Sequence, residues 1–336
     1  MQTDSKTILI TGGAWYIGSH TAVLLLEAGC DVIIVDNLSN SSLAAIEAIK
    51  SISGKEVPFH RIDLRDMLAL RHIFAGANVS AVIHFAALKS VAESVSDPLG
   101  YYDNNVGGTI SLLRAMSEAG VKKMVYSSSA TVYGTPEEMP LKESDPINSA
   151  TAASPYGRSK IICEEILQDL CAADSGFAVA ALRYFNPIGA HSSGKLGEAP
   201  LGQPNNIMPN IIRAAKGEVE ALKLFGVDYD TPDGSCIRDY VHILDLAAGH
   251  LAALRYIQKK DGFAPFNLGT GKGTSVLELI AAFEAATGVK VPRENAPRRP
   301  GDIAVSYADT SKAHSVLGFT AKRDIAEMCR DAWRVI

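Results

Sequence analysis

The 336-residue sequence has few of the features that mark secreted, membrane-spanning or nucleic-acid-binding proteins. Its cysteines are few and odd in number and form no C-x-x-C pair, which argues against a disulfide framework and against a metal site. It contains no apolar run of about 20 residues, so neither a membrane span nor a membrane partner is expected. The 32 Lys and Arg residues are outnumbered by 37 Asp and Glu and form no basic cluster, which disfavours nucleic acid as a partner.

The beginning of the chain also lacks a targeting signal. Residues 1–6 are polar, and the apolar run that follows covers only residues 8–10, which is too short for a signal peptide. We therefore expect a cytoplasmic protein with reduced, mostly buried thiols. The share of hydrophobic residues (47%) and of charged residues (21%) is typical of a globular protein, and the length allows about two domains.

Short β-branched runs alternate with helix-like segments in the first half of the chain. Thr7–Thr11 and Asp31–Asp36 are the clearest strands. Because strands separated by helices form parallel βαβ units, the pattern predicts an α/β fold with a Rossmann-type, doubly wound parallel sheet. Further strands are predicted at residues 58–62, 81–85, 123–127, 177–184 and 263–268, and helices at 17–28, 67–75, 101–119, 156–173, 208–216, 243–258, 275–287 and from 324 onward.

The composition changes after residue 186, where Gly, Pro and Asn become frequent. A helix and a strand near residues 243–268 then return to the earlier pattern. We therefore expect a second, smaller α/β domain built from two separated segments. The predicted division assigns residues 1–186 and 239–266 to the first domain and residues 187–238 and 267–336 to the second.

A glycine-rich turn follows the first strand. A strand, a glycine turn and a helix together place backbone N–H groups and the helix dipole where a pyrophosphate can bind. Asp36 ends the second strand 18 residues after Gly18, where a carboxylate would hold a ribose diol. No Lys or Arg follows Asp36 before Lys50, which favours NAD over NADP. The alternative is that the turn only connects a strand to a helix.

Tyr156, Lys160 and Ser129 form the second candidate site. Tyr156 and Lys160 are four residues apart and share one helix face. An ammonium near a phenol stabilises the phenolate, so we predict that Lys160 lowers the Tyr156 pKa from about 10 and makes it a general base, with Ser129 sharing the proton. A lone Y-x-x-x-K is usually a solvated helix face. It is more informative here because Ser129 follows a predicted strand, where open α/β sheets build their sites.

These and other motifs resemble those of the UDP-glucose 4-epimerase family, which belongs to the extended short-chain dehydrogenases/reductases. The resemblance covers nearly the whole chain and rests on TGGAWYIGSH, DNLSNS, HFAALKSV, YYDNNVGGT, SSSATVYG, SPYGRSK, LRYFNPIGAH, PNNIMP, TPDGSCIRDYVHILDLA, NLGTGKG and RRPGD. It implies reversible epimerisation of UDP-glucose and UDP-galactose at sugar C4 with tightly bound NAD. Tyr156 would take the proton of the 4-hydroxyl while NAD takes the hydride. The 4-ketosugar would then rotate and accept the hydride on its other face.

The resemblance also implies which residues bind each ligand. In the first domain, NAD would be bound by Gly12, Tyr16, Ile17, Gly18, Asp36, Asn37, Leu38, Ser39, Asn40, Ser41, Asp63, Leu64, Phe85, Ala86, Ala87, Lys89, Asn104, Ser129, Tyr156, Lys160 and Phe185. The UDP-sugar would be bound by Ser129 and, mainly in the second domain, by Asn186, Asn206, Ile207, Lys223, Leu224, Phe225, Arg238, Arg299, Asp302 and Ser306. The family pairs subunits through two helices of the first domain, so a homodimer is implied. No metal is implied.

Several of these assignments have simpler alternatives. Arg238 suits a diphosphate because its guanidinium matches phosphate oxygens, but with Asp239 it could form a plain surface ion pair. Asn206 could belong only to a turn. His84 and His242 lie in apolar strand contexts, so we interpret them as packed structural residues and not as catalysts.

Two positions bear on the chemistry more specifically. Trp15 occupies the middle of the G-x-x-G-x-x-G turn of the related dehydrogenases, where glycine lets the backbone approach the pyrophosphate, so we predict a weakened or displaced cofactor. Ser306 lies where the family carries a bulky residue when only glucose and galactose fit, and its small side chain predicts additional turnover of UDP-GlcNAc and UDP-GalNAc. Ala130 and Thr131 replace the acidic pair of the related 4,6-dehydratases and disfavour that reaction.

Two alternative functions stay open. One is another nucleotide-sugar epimerase of the same family, although a uronate would need an additional cation near C6 and none can be assigned. The other is a cofactor-impaired homologue that retains the fold as a sensor because Trp15 blocks NAD. The conjunction of Ser129, Tyr156 and Lys160 argues against a sensor, which has no use for a tuned phenol.

Overall fold

The computed structural model describes residues 7–136, 138–150, 152–299 and 301–335, so the polar residues 1–6 and Pro300 of the RRPGD motif lie outside it. The chain divides into two compact units. The first consists of Met1–Gly134, Pro146–Arg183 and Ala247–Phe266. The second consists of Thr135–Asp145, Tyr184–Leu246 and Asn267–Ile336.

The elements of the first unit alternate between strands and helices. In chain order they are β1 (Thr7–Thr11), α1 (Tyr16–Glu27), β2 (Asp31–Asp36), α2 (Leu43–Ser53), β3 (Phe59–Arg61), α3 (Met67–Gly76), β4 (Val79–His84), α4 (Val91–Ser96), α5 (Pro98–Tyr101), α6 (Gly108–Glu118), β5 (Lys123–Ser129), α7 (Pro155–Ala173) and β6 (Ala178–Tyr184), the last residue of which falls in the second unit. Strand β1 is a buried apolar run, in which Ile8, Leu9 and Ile10 are each at most 1% exposed.

The elements after β6 belong to the second unit, except for most of α9 and of β11. They are β7 (Asn186–Ile188), α8 (Ile207–Ala215), β8 (Leu222–Phe225), β9 (Ile237–Arg238), β10 (Tyr240–His242), α9 (Ile243–Ile257), β11 (Gly262–Leu268), β12 (Thr274–Ser275), α10 (Val276–Thr287), β13 (Arg293–Ala296), β14 (Val305–Ser306) and α11 (Ile325–Arg334). Helix α9 enters the first unit at Ala247, and β11 leaves it after Phe266. The second unit contains small sheets, in which β7 pairs with β10, β8 with β13, and β9 with both β12 and β14.

Seven strands form the central sheet in the order β11-β6-β5-β4-β1-β2-β3. Strand β1 runs parallel to both β2 and β4, β2 runs parallel to β3, and β4 runs parallel to β5. The chain builds the sheet outward from β1 in one direction and then from β4 in the other, so the order reverses between these two strands. This is the doubly wound arrangement, and it confirms the predicted fold class.

The segment predicted as helical at 101–119 is helical but not of one regular type. It consists of α5, a π-helical segment at Tyr102–Gly107, and α6. The π turn inserts an extra residue per turn, which changes the direction of the side chains and places Asn105 in the interior at 3% exposure. No helix in the described part of the chain combines the length and the hydropathy needed to cross a bilayer.

Candidate functional site

The glycine turn after β1 is too tight for larger residues at two positions. Gly12 has a φ of +70°, and a Cβ atom there would lie 2.6 Å from the backbone nitrogen of Ala86. A Cβ atom on Gly18 would lie 2.3 Å from the carbonyl oxygen of Gly12. Helix α1 begins at Tyr16 without a side-chain hydrogen bond at its N-cap. The first N–H groups of such a helix have no intrahelical partner and suit an anionic group.

The Asp36 carboxylate is fixed at the end of β2. One oxygen accepts hydrogen bonds from the Leu38 backbone N–H at 2.9 Å and the Ser41 hydroxyl at 2.8 Å, and the other accepts from the Ala14 backbone N–H at 3.1 Å. Leu38 has a φ of +60°, an uncommon conformation for a residue with a side chain. The backbone of Leu38 and the side chain of Ser41 thus hold this carboxylate in place.

Six other NAD candidates of the first unit follow two further strands of the sheet. Phe85, Ala86, Ala87 and Lys89 follow β4, and Asp63 and Leu64 follow β3. The Arg65 guanidinium bonds to the Asp63 carboxylate and holds the pKa of that group well below its usual range. The Leu64 side chain packs in the hydrophobic core, so only its main chain is free to meet a ligand.

Asn104 and Phe185 lie elsewhere. Asn104 is in the π-helical segment and donates a hydrogen bond to its neighbour Asn105 at 2.9 Å. Phe185 directly follows β6 and belongs to the second unit, where it is 7% exposed.

Trp15 is the N-cap residue of α1 and is partly exposed. Its φ of −105° is ordinary for any residue, so the backbone itself does not require glycine at this position. The Nζ atom of Lys89 lies 5.2 Å from the centre of the indole ring. The two side chains thus form a cation–π contact.

Ser129, Tyr156 and Lys160 come together at the carboxyl end of β5. Ser129 is the last residue of β5, and the other two lie in the first two turns of α7. A hydrogen bond joins the side chains of Ser129 and Tyr156 and lowers the Tyr156 pKa, but burial raises that pKa by more. The predicted depression of the Tyr156 pKa by Lys160 is therefore wrong for this structure, in which desolvation of the phenol dominates.

The contacts of Lys160 explain this difference. Its ammonium donates a hydrogen bond to the Ser127 carbonyl oxygen at 2.6 Å and lies 5.0 Å from the centre of the Tyr126 ring. Lys160 is only 4% exposed, and burial lowers its pKa to about 8. The ammonium is anchored to β5 and remains charged at neutral pH.

A buried polar network behind these residues escaped sequence analysis. Arg183 donates to both carboxylate oxygens of Glu164, at 3.1 and 2.6 Å, and to the Tyr133 hydroxyl at 3.0 Å. The Ser128 hydroxyl donates to Glu164 at 2.5 Å. Glu164 follows Lys160 by four residues and Ser128 precedes Ser129, so the network fixes both elements of the site. The spacing of Glu164 from Lys160 on one helix face was the available signal.

Asn105 is a second positioning group that sequence analysis missed. Its side chain accepts a hydrogen bond from the Leu88 N–H at 2.8 Å and donates to the Leu88 carbonyl at 2.9 Å and the Ser159 hydroxyl at 3.0 Å. The Ser159 hydroxyl in turn donates to the Tyr156 carbonyl oxygen. Asn105 thereby joins the loop after β4 to the helix that carries Tyr156.

In the second unit the structure places Ser306 beside Arg238. Strands β9 and β14 run parallel, and these two residues are partners in the register. Ser306 is 8% exposed. Asp239 is fully buried and accepts hydrogen bonds from backbone N–H groups of Thr270, Gly271 and Ala308. The surface ion pair between Arg238 and Asp239 is therefore wrong, because that carboxylate is inside the unit.

Arg299 forms a second cationic position of the same unit. Its guanidinium lies 4.9 Å from the centre of the Phe225 ring and pairs with Asp302 at 3.0 Å. Phe225 keeps 37% exposure, so this face remains accessible. The Lys223 side chain of the same strand is also exposed, whereas the Leu224 side chain packs in the core, which leaves only its main chain for a ligand.

Asn186, Asn206 and Ile207 begin elements of the second unit. The Asn186 N–H donates to the Asp239 carbonyl at 2.9 Å at the start of β7. Asn206 is the N-cap residue of α8, which begins at Ile207, and its side chain donates to Glu198 at 2.5 Å.

His84 and His242 are both buried and hydrogen-bonded to neighbouring side chains. His84 is 2% exposed between the hydroxyls of Thr11 and Thr109, at 2.7 and 3.0 Å. His242 is fully buried 3.3 Å from Asp331 and, with Glu327, could face a cation. Arginine side chains already pair with both carboxylates, so we assign no metal to this cluster.

Comparison with known proteins places this arrangement in a family. A family model described as GDP-mannose 4,6 dehydratase matches residues 9–332. The chain is 53% identical to UDP-glucose 4-epimerase of Bacillus subtilis, covering 97% of this chain and 96% of the relative. It is 52% identical to UDP-glucose 4-epimerase 2 of Arabidopsis thaliana, covering 98% and 94%. The chain belongs to the UDP-glucose 4-epimerase family.

Solved structures of the epimerase family agree. UDP-glucose 4-epimerase from Bifidobacterium longum, in complex with NAD+ and UDP, has a TM-score of 0.95 and 48% identity, and 98% of each chain is covered. The UDP-Glc/GlcNAc 4-epimerase from Campylobacter jejuni has a TM-score of 0.84 and 37% identity, again over 98% of each chain.

Proposed function

We propose that the protein interconverts UDP-glucose and UDP-galactose by reversible epimerisation at C4, with NAD as a resident cofactor. The observation that carries the proposal is that the buried Tyr156, the Ser129 side chain and the anchored ammonium of Lys160 meet at the end of β5. These groups lie at the carboxyl edge of a doubly wound sheet, where such folds place their ligands. The relatives with bound NAD and UDP support the same reading.

NAD fits the chemistry of the first unit. The uncapped start of α1 suits the diphosphate, and the Asp36 carboxylate at the end of β2 suits a ribose diol. The remaining first-unit residues assigned to NAD follow the ends of β2, β3, β4 and β5 or lie on helices that border them, and Phe185 follows β6. When bound there, NAD supplies hydride acceptance and return. We propose that the first unit is the NAD-binding domain and the second unit the UDP-sugar-binding domain.

The protein residues move and hold the proton. The Tyr156 hydroxyl takes the proton of the sugar 4-hydroxyl and later returns it, which makes Tyr156 base and acid in turn. Ser129 bonds to that phenol and shares the proton. Lys160, whose ammonium is anchored on the Ser127 carbonyl, would bind the nicotinamide ribose of NAD.

In the second unit, Arg238 and Arg299 supply the fork-shaped cations that match a diphosphate. Phe225 keeps an exposed face on which a flat base could stack. We propose that these residues, with the others assigned to the substrate, hold the UDP portion. The smaller sugar portion would rotate between the two hydride transfers.

The direct test is conversion of UDP-galactose to UDP-glucose by the purified protein, with and without added NAD. Tyr156→Phe removes the proton acceptor and should lower kcat by about 10²–10⁴-fold. Ser129→Ala should lower kcat while leaving the KM within a small factor. Tyr102→Phe, which removes another tyrosine hydroxyl in the same unit, is the matched control. Unchanged turnover by Tyr156→Phe would contradict the proposal.

We further propose that the protein also interconverts UDP-GlcNAc and UDP-GalNAc. The support is Ser306, a small, nearly buried residue whose register partner is Arg238, a proposed diphosphate ligand. A 2-acetamido group needs added room at such a position. Ser306→Tyr should abolish turnover of the N-acetylated sugars and spare UDP-galactose, whereas Ser306→Ala should retain both. Persisting N-acetyl turnover in Ser306→Tyr would refute the assignment.

We propose a homodimer formed through α6 and α7. These helices border an apolar groove of about 540 Å³. Its lining includes Ile110, Ile166 and Leu170, with charged residues at the rim. Leu170→Glu should yield a monomer in sedimentation experiments. The control Leu68→Glu, at a 71% exposed position on α3, should leave the association state unchanged. Equal masses for wild type and Leu170→Glu would exclude this interface.

We also propose a cytoplasmic location. The support is that all five cysteines are free thiols. Recovery of the tagged protein in the cytoplasmic fraction tests this, and recovery from a membrane or secreted fraction would contradict it.

A further inference from the structure

An indole and an ammonium face each other beyond the ends of two strands of the first unit. Trp15 follows β1 and Lys89 follows β4, and the ammonium lies 5.2 Å from the ring centre. The strand order reverses between β1 and β4, and open α/β sheets bind ligands in the crevice outside the carboxyl ends of such strands. The Trp15–Lys89 pair therefore spans the crevice of the sheet.

The backbone below the pair is fixed by contacts between the two loops. The Phe85 N–H donates to the Thr11 carbonyl oxygen at 2.9 Å, and the backbones of Gly12 and Ala86 are in close contact. Trp15 is partly exposed and has an unstrained backbone. A ligand can therefore displace the indole by rotation of its side chain, without opening the turn.

The Trp15 indole and the diphosphate of NAD would compete for the Lys89 ammonium. A lysine ammonium is a compact charge on a flexible stem, and tryptophan is the aromatic side chain that binds cations best. A diphosphate at the start of α1 would lie between the same two loops and carries full negative charge, so it attracts the same ammonium more strongly than the ring does.

We propose that Trp15 sets the affinity for NAD by holding Lys89, so that the ammonium must leave the indole to reach the diphosphate. The inference rests on the proposed NAD site. It makes Trp15 a regulator of cofactor exchange that acts through Lys89, and not only an obstacle in the turn. Its measurable consequence is an energetic coupling between the two side chains in NAD binding.

A double-mutant cycle measures this coupling. Trp15→Leu removes the π face but retains an apolar side chain, and Lys89→Met retains the stem but removes the charge. With Lys89 present, Trp15→Leu should tighten the calorimetric Kd for NAD about two- to fivefold, the equivalent of a partly exposed cation–π contact. In the Lys89→Met background, Trp15→Leu should tighten the Kd by a smaller factor, because only the obstacle in the turn is then relieved. Equal effects in both backgrounds, or no effect in either, would overturn the inference.

Fluorescence provides a second readout with the native side chain in place. The chain has two tryptophans, so Trp333→Phe leaves Trp15 as the only tryptophan, which is then excited selectively at a wavelength where tyrosine does not absorb. NAD and ADP-ribose, which both carry the diphosphate, should change the Trp15 emission, and adenosine should not. An unchanged emission at saturating NAD, or the same change with adenosine, would refute the competition. Calorimetry that detects no NAD binding by any of the variants would instead refute the proposed cofactor, and the inference with it.

Discussion

The ion pair between Glu164 and Arg183 offers the sharpest test of how this site is held together. Both side chains are buried, with 0% and 3% exposure, and the guanidinium contacts both carboxylate oxygens. In Glu164→Ala the guanidinium stays inside the first unit without its counter-charge. Removal of one partner of a buried pair costs about 3–5 kcal/mol, a large part of the roughly 5–15 kcal/mol that stabilises a folded domain.

The assay is equilibrium urea unfolding followed by circular dichroism, without added nucleotide. The surface pair of Arg71 and Glu118 is the matched control, because it has the same two-pronged geometry at about 50% exposure. Glu118→Ala should leave the urea midpoint unchanged, since exposed pairs are screened by water. The double variant Glu164→Met with Arg183→Met removes both charges and should recover most of the lost stability. If Glu164→Ala unfolds with the wild-type midpoint, or if the double variant is as unstable as the single one, the reasoning fails.

Three further outcomes are expected. Burial and the nearby Lys160 charge lower the pKa of His84 to about 3, so below the ordinary pKa of 6.5 the unfolded chain binds more protons than the folded one. The free energy of unfolding should therefore fall as the pH is lowered from about 6.5 toward 3. A His84→Gln variant with an equally steep loss over that window would contradict this. The Lys160 pKa of about 8 predicts that kcat declines above that pH as the ammonium is lost. In an active Lys160→Arg variant, the decline in the pH–rate profile should move to higher pH. If the decline does not move, it belongs to the titration of another group. Gly18→Ala forces a Cβ atom against the Gly12 carbonyl and should lower the melting temperature and the NAD content of the purified protein. The control Gly76→Ala, at a position with open space around it, should change neither quantity. Equal behaviour of the two variants would count against the tight turn.

Several parts of the fold were readable from the sequence because the signals are local. Thr7–Thr11 and Asp31–Asp36 are strands with the predicted bounds, since short length and β-branched residues together favour a strand over a buried helix. Helix α2 was missed although Leu43, Ile46 and Ile49 recur at helical spacing and the latter two are buried. That helix was within reach of the same periodicity argument.

The candidate site was predictable in its parts and not in its assembly. The four-residue spacing placed Tyr156 and Lys160 on one helix face, and the order of strands and helices implied a doubly wound sheet. The sequence could not tell that Ser306 would lie beside Arg238, because strand register between distant segments depends on packing. It also could not reveal the buried Glu164–Arg183 pair.

The sequence by itself therefore determined the parallel α/β fold, the glycine turn and the identities of the reactive side chains, because these follow from short-range sterics, periodicity and residue chemistry. Only the tertiary structure decided the direction of the Tyr156 pKa shift, the anchoring of Lys160 on the Ser127 carbonyl, and the contact between Trp15 and Lys89. Each of these depends on which groups are removed from water and which distant segments meet, and both are consequences of the packed chain as a whole.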